Sequence, residues 1–267
     1  MSGFRDAWVR GATIASLLLP LYFLIAAFGT KYGLFNWRLG FQVLTLHIGP
    51  VLALLALTGG VIGLALAGSV RPLRGWRLSL LAMFIPAVVL LIVGGAFVQS
   101  QNAPPIHDVS TDLVDPPRFS PTIEAERAMI RGSNSLDLKH ARAPDDPHLG
   151  LAAGRLSSDL QKAAFPDVQP IAVGVPKARA LAAARGAAGA LGWKIDSVDD
   201  HAGVIEARVA NFWYGNSTDI VVRVTSAGEG AVIDVRSSSR VGAIDLGANA
   251  ARVRAFSKEV AKQLATG

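Results

Sequence analysis

Three uncharged apolar runs, residues 11–29, 41–70 and 78–98, decide most of what this chain can become. Each reaches the roughly 20 residues that a hydrocarbon core of about 30 Å demands of a helix. In lipid, only a helix or a closed barrel satisfies its own backbone. The reading is a three-helix membrane anchor over residues 1–98, with the lipid bilayer as its first partner. The first run, with Arg5 and Arg10 ahead of it and Ala26 and Ala27 at its end, also has the outline of a signal peptide. Two further spans behind it favour an anchor.

Charge divides the chain the same way. Residues 1–98 hold seven Lys/Arg against one Asp, and the remainder holds nineteen of each sign, so the net charge of +6 sits in the apolar part. A basic patch for nucleic acid would sit on the globular part; no nucleic-acid partner is expected. Arg5, Arg10, Arg71, Arg74 and Arg77 flank the spans on one side, Lys31 and Arg38 on the other. The excess of positive charge puts the N-terminus in the cytoplasm. Three crossings then place everything after Gln99 outside, which at a bacterial inner membrane is the periplasm. Trp8, Tyr32, Trp37 and Trp76 lie at span ends, where interfacial aromatics belong. The absence of cysteine excludes disulfides, thiolate metal sites and a cysteine nucleophile.

His47 is an ionisable group inside the second run, with Gln42 and Thr45 nearby. It reads either as a functional residue or as a partner for a neighbouring helix or interfacial water. Gly59 and Gly63 form a small-xxx-small pair of the kind that brings helices close, which allows a homo-oligomer. The spans lack the paired acids or broken-helix symmetry of a transporter.

Residues 99–119 are rich in Pro and Asp and read as an extended tether. His107, Asp108, Asp112 and Asp115 within it have the donor chemistry of a cation site, but their spacing matches no known loop, and turn-forming Asp side chains explain them equally. Neither a metal nor a cofactor is expected. Ser120-Pro121 opens a short helix expected to reach Arg131, and Ser158 with Gln161 resembles a capping box.

From residue 167 the pattern sharpens into the main part of an α+β domain over 120–267. Residues 168–173 read as a strand, 176–191 as a helix ended by Gly192, and four strands follow over 193–198, 204–211, 219–225 and 231–238, then a closing helix. Ile205, Ala207, Val209, Ile220, Val222 and Val224 face one way; Glu206, Arg208, Arg223, Asp234 and Arg236 face the other. The fold class is therefore three transmembrane α-helices followed by an antiparallel sheet with helices on one face, in the order β-α-β-β-β-β-α. Phe212, Trp213 and Tyr214 interrupt the alternation. Three adjacent aromatics cannot share one core, so they are expected at a ligand or partner contact, or packed at the sheet end.

Arg236 and Arg240 share a face of the last strand, and the turn after it carries Gly247 and Asn249 at a helix start. These four are the expected anion-binding residues, since a guanidinium fork and helix amides both suit carboxylate or phosphate. The alternative is structural pairing, or a cross-strand charge ladder. Ser237 or Ser239 with His107 or His201 would be needed for a hydrolase, but no triad spacing is evident, so no catalytic residue is assigned.

The segments IHDVSTDLVDPPRF, FPDVQP, LGWKI with GVIEARV, FWYG with TDIVVRV, and above all DVRSSSRVGAIDLGANAARVRAF resemble the family catalogued as domain of unknown function 1499 over most of residues 105–265. Some relatives carry a Cys-containing motif near the domain start that this chain lacks, which argues against a thiol role. The three-span anchor looks like one proteobacterial form of that family. The inferred fold is also similar to helix-grip-like domains, including those of outer-membrane assembly lipoproteins, an analogy that carries no function. The resulting expectation is an envelope protein that presents a periplasmic domain to an envelope protein or an anionic small molecule. Alternatives are an envelope hydrolase and an accessory subunit of a membrane transport complex.

Overall fold

The computed structural model describes residues 2–145 and 147–266. The chain divides into two units: residues up to Gln99 together with the loop Phe212–Gly215, and the remainder.

Among the described residues of the first unit, three helices are long and apolar enough to cross a membrane. They are α1 (Ser2–Lys31), a second that winds as a π-helix over Arg38–Ile48 and continues as α2 (Gly49–Ser69), and α3 (Trp76–Asn102). The winding changes next to Pro50, whose missing N–H cannot bond the carbonyl of Leu46. Small residues let the helices meet. A Cβ on Gly60 would lie 2.7 Å from Met83 Cγ and 3.1 Å from the Ala82 backbone, and Ser16 Oγ donates to the Ala82 carbonyl at 2.7 Å. Gly63 faces Ser79 and Val9, and Gly59 faces Ala12, so the expected small-residue pair packs against helices of its own chain. At one end Arg5 is buried; it donates from Nη1 to the Val70 carbonyl at 2.8 Å and to that of Pro72. The N-terminal segment is thereby tied to the connection that carries Arg71 and Arg74.

The second unit is built on one antiparallel sheet in the order β1-β6-β5-β4-β3, with β2 also pairing β6. The strands are β1 (Asp108–Ser110), β2 (Ile171–Val173), β3 (Lys194–Asp199), β4 (Val204–Ala210), β5 (Ser217–Ala227) and β6 (Gly230–Ser239). The helices are α4 (Pro121–Ala128), α5 (Ser157–Ala164), α6 (Lys177–Ala190) and α7 (Ala248–Thr266). The long helices α6 and α7 cover one face. Ile205, Ile220, Val222, Ile233 and Val235 meet Ala184, Ala187, Val253, Phe256 and Val260 there in one core. Trp193 stacks on Phe256 at 5.1 Å. Each fully buried aliphatic side chain contributes about 1.5–3 kcal/mol, and this face holds the main apolar core of the unit.

The opposite, charged face is also covered. Phe119 and Ile123 pack on Val221 of β5, flanked by Leu136 and Val204. The segment expected as a tether is thus not free. Its residues 108–110 pair with Arg236, Ser237 and Ser238 of β6, and Ile106, Val109 and Phe119 are buried. Ser120 caps α4 through its side chain, with Pro121 at the first helical position, but the helix ends at Ala128, short of Arg131. Ser158 and Gln161 do not form the expected capping box, because Gln161 is used elsewhere. Its Nε2 donates to the Ser110 carbonyl at 2.7 Å and its Oε1 accepts from Ser110 N–H at 3.1 Å, so a buried amide stands in for a further strand beside β1.

Candidate functional site

β6 carries two sets of polar side chains, one on each face, and they are treated differently. On the face away from α6 and α7, every arginine in the layer meets a carboxylate. Arg236 bonds Asp108 through Nε at 3.0 Å and Nη2 at 2.7 Å, and its other donors reach the carbonyls of Pro117 and Leu136. Arg240 chelates Asp219 and reaches Glu126 at 2.7 Å. Asp219, fully buried, also holds Arg127 at 2.8 Å. Arg208 joins Asp196 to Glu126, and Arg223 joins Asp112, Asp115 and Asp234. Arg240 first, then Arg208, holds the Glu126 carboxyl below the usual carboxylate range. These bonds fasten residues 108–127 to the sheet. Buried charges persist only when paired and hydrogen-bonded in this way.

On the face toward α7, Ser237 and Ser239 meet the start of the helix. Ser237 Oγ donates to Asn249 Oδ1 at 2.8 Å, while Asn249 Nδ2 donates to the His107 carbonyl at 2.8 Å and to Ser239 Oγ at 3.1 Å. Asn249, fully buried, is therefore the clamp between β1, β6 and α7. Asp245 caps α7: its carboxylate accepts the N–H groups of Gly247 and Asn249, both at 2.8 Å. Gly247 has φ 82°, and even Leu246 is held at φ 57°, a conformation uncommon for a side-chain-bearing residue. Arg252, one turn on, donates from Nη1 to Ser237 Oγ at 3.0 Å and Asn249 Oδ1 at 2.6 Å. Three titratable groups meet here with shifted affinities. Burial raises the Asp245 carboxyl pKa, against the pull of its backbone hydrogen bonds and of Arg252. Burial lowers that of the His107 imidazole, only partly offset by Asp108. Burial also lowers that of the Arg252 guanidinium, opposed by Asp245. Such clusters are where binding or proton-transfer chemistry concentrates.

The structure thus places the four expected anion-binding residues on two sides of β6. Arg236 and Arg240 lie in the carboxylate-paired layer, and Gly247 and Asn249 lie at the α7 start. Arg252, in the same AARVRAF run, was not singled out from sequence; its signal was position, three residues after Asn249 and so on the same helix face. The serines are engaged by an amide and a guanidinium, and His201 lies in the exposed β3–β4 turn, where Lys177 holds its carbonyl at 2.8 Å. Asp112, besides pairing with Arg223, accepts the N–H groups of Val114 and Asp115 in a turn. Among the described residues no cluster of three His, Asp or Glu is arranged to hold a metal.

Phe212, Trp213 and Tyr214 belong to the first unit. Lys31 Nζ donates to the Phe212 carbonyl at 2.9 Å and lies 4.6 Å from its ring. Phe28 meets Phe212 and Trp213 edge-on, and Tyr214 OH shares a 2.7 Å bond with Thr45 Oγ1 while its ring abuts Trp37 and Phe41. Phe212 and Trp213 remain 64% and 52% exposed, so both keep open faces. His47 is exposed on its helix, its Nδ1 2.5 Å from the Gln42 carbonyl.

A family model described as protein of unknown function, DUF1499, matches residues 108–260, from β1 through most of α7. Comparison with the curated proteins gives no match.

Proposed function

We propose, from the premise that this chain belongs to the DUF1499 family, that it is an inner-membrane protein of a bacterium that holds its C-terminal domain in the periplasm as a binding module. The carrying observation is the distribution of charge over the helix ends. Arg5 is bonded to the connection after α2, so Arg5 and Arg10 share an end with Arg71 and Arg74, while the opposite ends carry Lys31 and Arg38. The positive-inside tendency assigns the first end to the cytoplasm. α3 then delivers the chain to the other side.

The domain's role as a binder, of an anionic small molecule or an envelope protein, is favoured over a hydrolase by the engagement of Ser237. Its proton goes to an amide oxygen and not to a base, so it is not activated as a nucleophile. The exposed faces of Phe212 and Trp213 favour a protein contact as a second reading. The test of topology uses the absence of cysteine. Single cysteines at the exposed Arg74 and Asp200 are labelled in intact cells with a membrane-impermeant maleimide. Labelling of D200C but not R74C is expected once the outer membrane is permeabilised; the reverse pattern overturns the proposal.

A further inference from the structure

Every buried or half-buried arginine of the polar layer on the sheet ends in a carboxylate: Arg127, Arg208, Arg223, Arg236 and Arg240 all have one within ion-pair distance. Arg252 is half-buried against β6 and, among the described residues, makes no ion pair. Its protein bonds come from Nη1 alone, to neutral oxygens of Ser237 and Asn249. Nε and Nη2 are neither bonded nor among the buried unpartnered atoms, so solvent reaches them. The nearest acid, Asp245, spends both carboxylate oxygens on the amides of Gly247 and Asn249. Fixing one edge of a guanidinium while leaving the other open preorganises a fork of two parallel donors. Asp245 acts on Arg252 only at a distance, and a half-desolvated cation that makes no ion pair gains more from an incoming anion than an exposed one does.

We infer that the free edge of Arg252 is a binding site for a small oxyanion, carboxylate or phosphate, with Asn249 and Ser237 as positioning residues that hold the guanidinium in place. The inference deepens the binding-module reading and rests on it. It moves the anion site from Arg236 and Arg240, which are already paired with carboxylates, to the other side of β6. Asp245 faces the site from the turn before α7 and in turn interacts with His107, the residue before β1. Loss of the Asp245 proton makes the site less positive, so affinity falls as pH rises through its titration.

The full chain in neutral detergent is titrated with inorganic phosphate and with acetate at constant ionic strength, following thermal unfolding; phosphatidylglycerol added to the micelle forms a third arm. A saturable stabilisation is expected for the wild type. Half-saturation should rise at least about tenfold in R252Q and in R252K, the second of which keeps the charge but not the fork. R185Q, the same charge loss at an exposed position on α6, should bind like the wild type. A lower half-saturation for the lipid than for free phosphate, lost in R252K, assigns the oxyanion to a headgroup. The inference is overturned if R252Q and R252K retain wild-type half-saturation, an outcome that leaves the binding module intact with its site elsewhere. It is overturned equally if no arm saturates in the wild type, which removes the oxyanion reading of the module as well, whereas topology is decided separately by the cysteine labels.

Discussion

The two faces of β6 carry similar residue types and reach opposite electrostatic outcomes. On one, Arg236 and Arg240 are paired with Asp108, Asp219 and Glu126. On the other, Arg252 approaches Ser237 and Asn249 and makes no ion pair among the described residues. Arginine content alone therefore says little about an anion site. What separates a structural arginine from a binding one is whether its donors are already used, because a paired guanidinium must first lose a carboxylate before it can take a ligand.

The largest test of that contrast is Asp219, which holds both Arg127 and Arg240 without any exposure. D219A leaves the buried Arg127 without a carboxylate and Arg240 with Glu126 alone, and should cost about 3–5 kcal/mol in a urea titration of the full chain in detergent. A loss below about 1 kcal/mol would break the claim that this face is structural. Next comes Asn249. N249A removes the clamp on Ser237, Ser239 and the His107 carbonyl and should cost about 1–3 kcal/mol, and it should weaken phosphate binding because Arg252 loses an anchor.

Asp245 gives a smaller effect with a pH signature. Burial raises its folded-state pKa above the unfolded value. Its contribution is therefore fully present below the ordinary carboxylate range and is lost as pH rises through the raised value. D245N should flatten the fall in stability over that range while keeping an oxygen to cap α7; D245A should lose about 1 kcal/mol of capping at any pH. A pH profile of unfolding midpoints for the three proteins checks the sign. The smallest effect on stability is expected for R252Q, below about 1 kcal/mol, because the lost hydrogen bonds are offset by removal of an unpaired half-buried charge.

The helix-facing side of the sheet was legible in the sequence, because Ile220, Val222 and Val224 alternate strictly with Asp219, Val221 and Arg223, and burial on one face imposes that period. The lid on the charged side was not. Asp108, Asp112 and Asp115 sit in a Pro-rich run without helical or strand period, and their partners, Arg236 and Arg223, are more than a hundred residues away. A clue was available in charge balance: the acids of residues 108–126 match the arginines of the charged strand face. The tether expectation missed it because composition reports backbone tendency and not long-range pairing. Arg252 was hidden for a different reason, since nothing in a sequence marks which of several arginines is left without a carboxylate. The three long apolar helices were legible from length and apolarity, whereas the π-helical winding over Arg38–Ile48 follows from packing and from Pro50.

Amide hydrogen exchange of the full chain with and without saturating phosphate compares the two faces in one measurement, since protection reports local opening segment by segment. The account predicts added protection confined to residues 245–253 and the end of β6, with residues 108–127 and β5 unchanged. Added protection centred on Arg127, Asp219 and Arg240, with residues 245–253 unaffected, would contradict it.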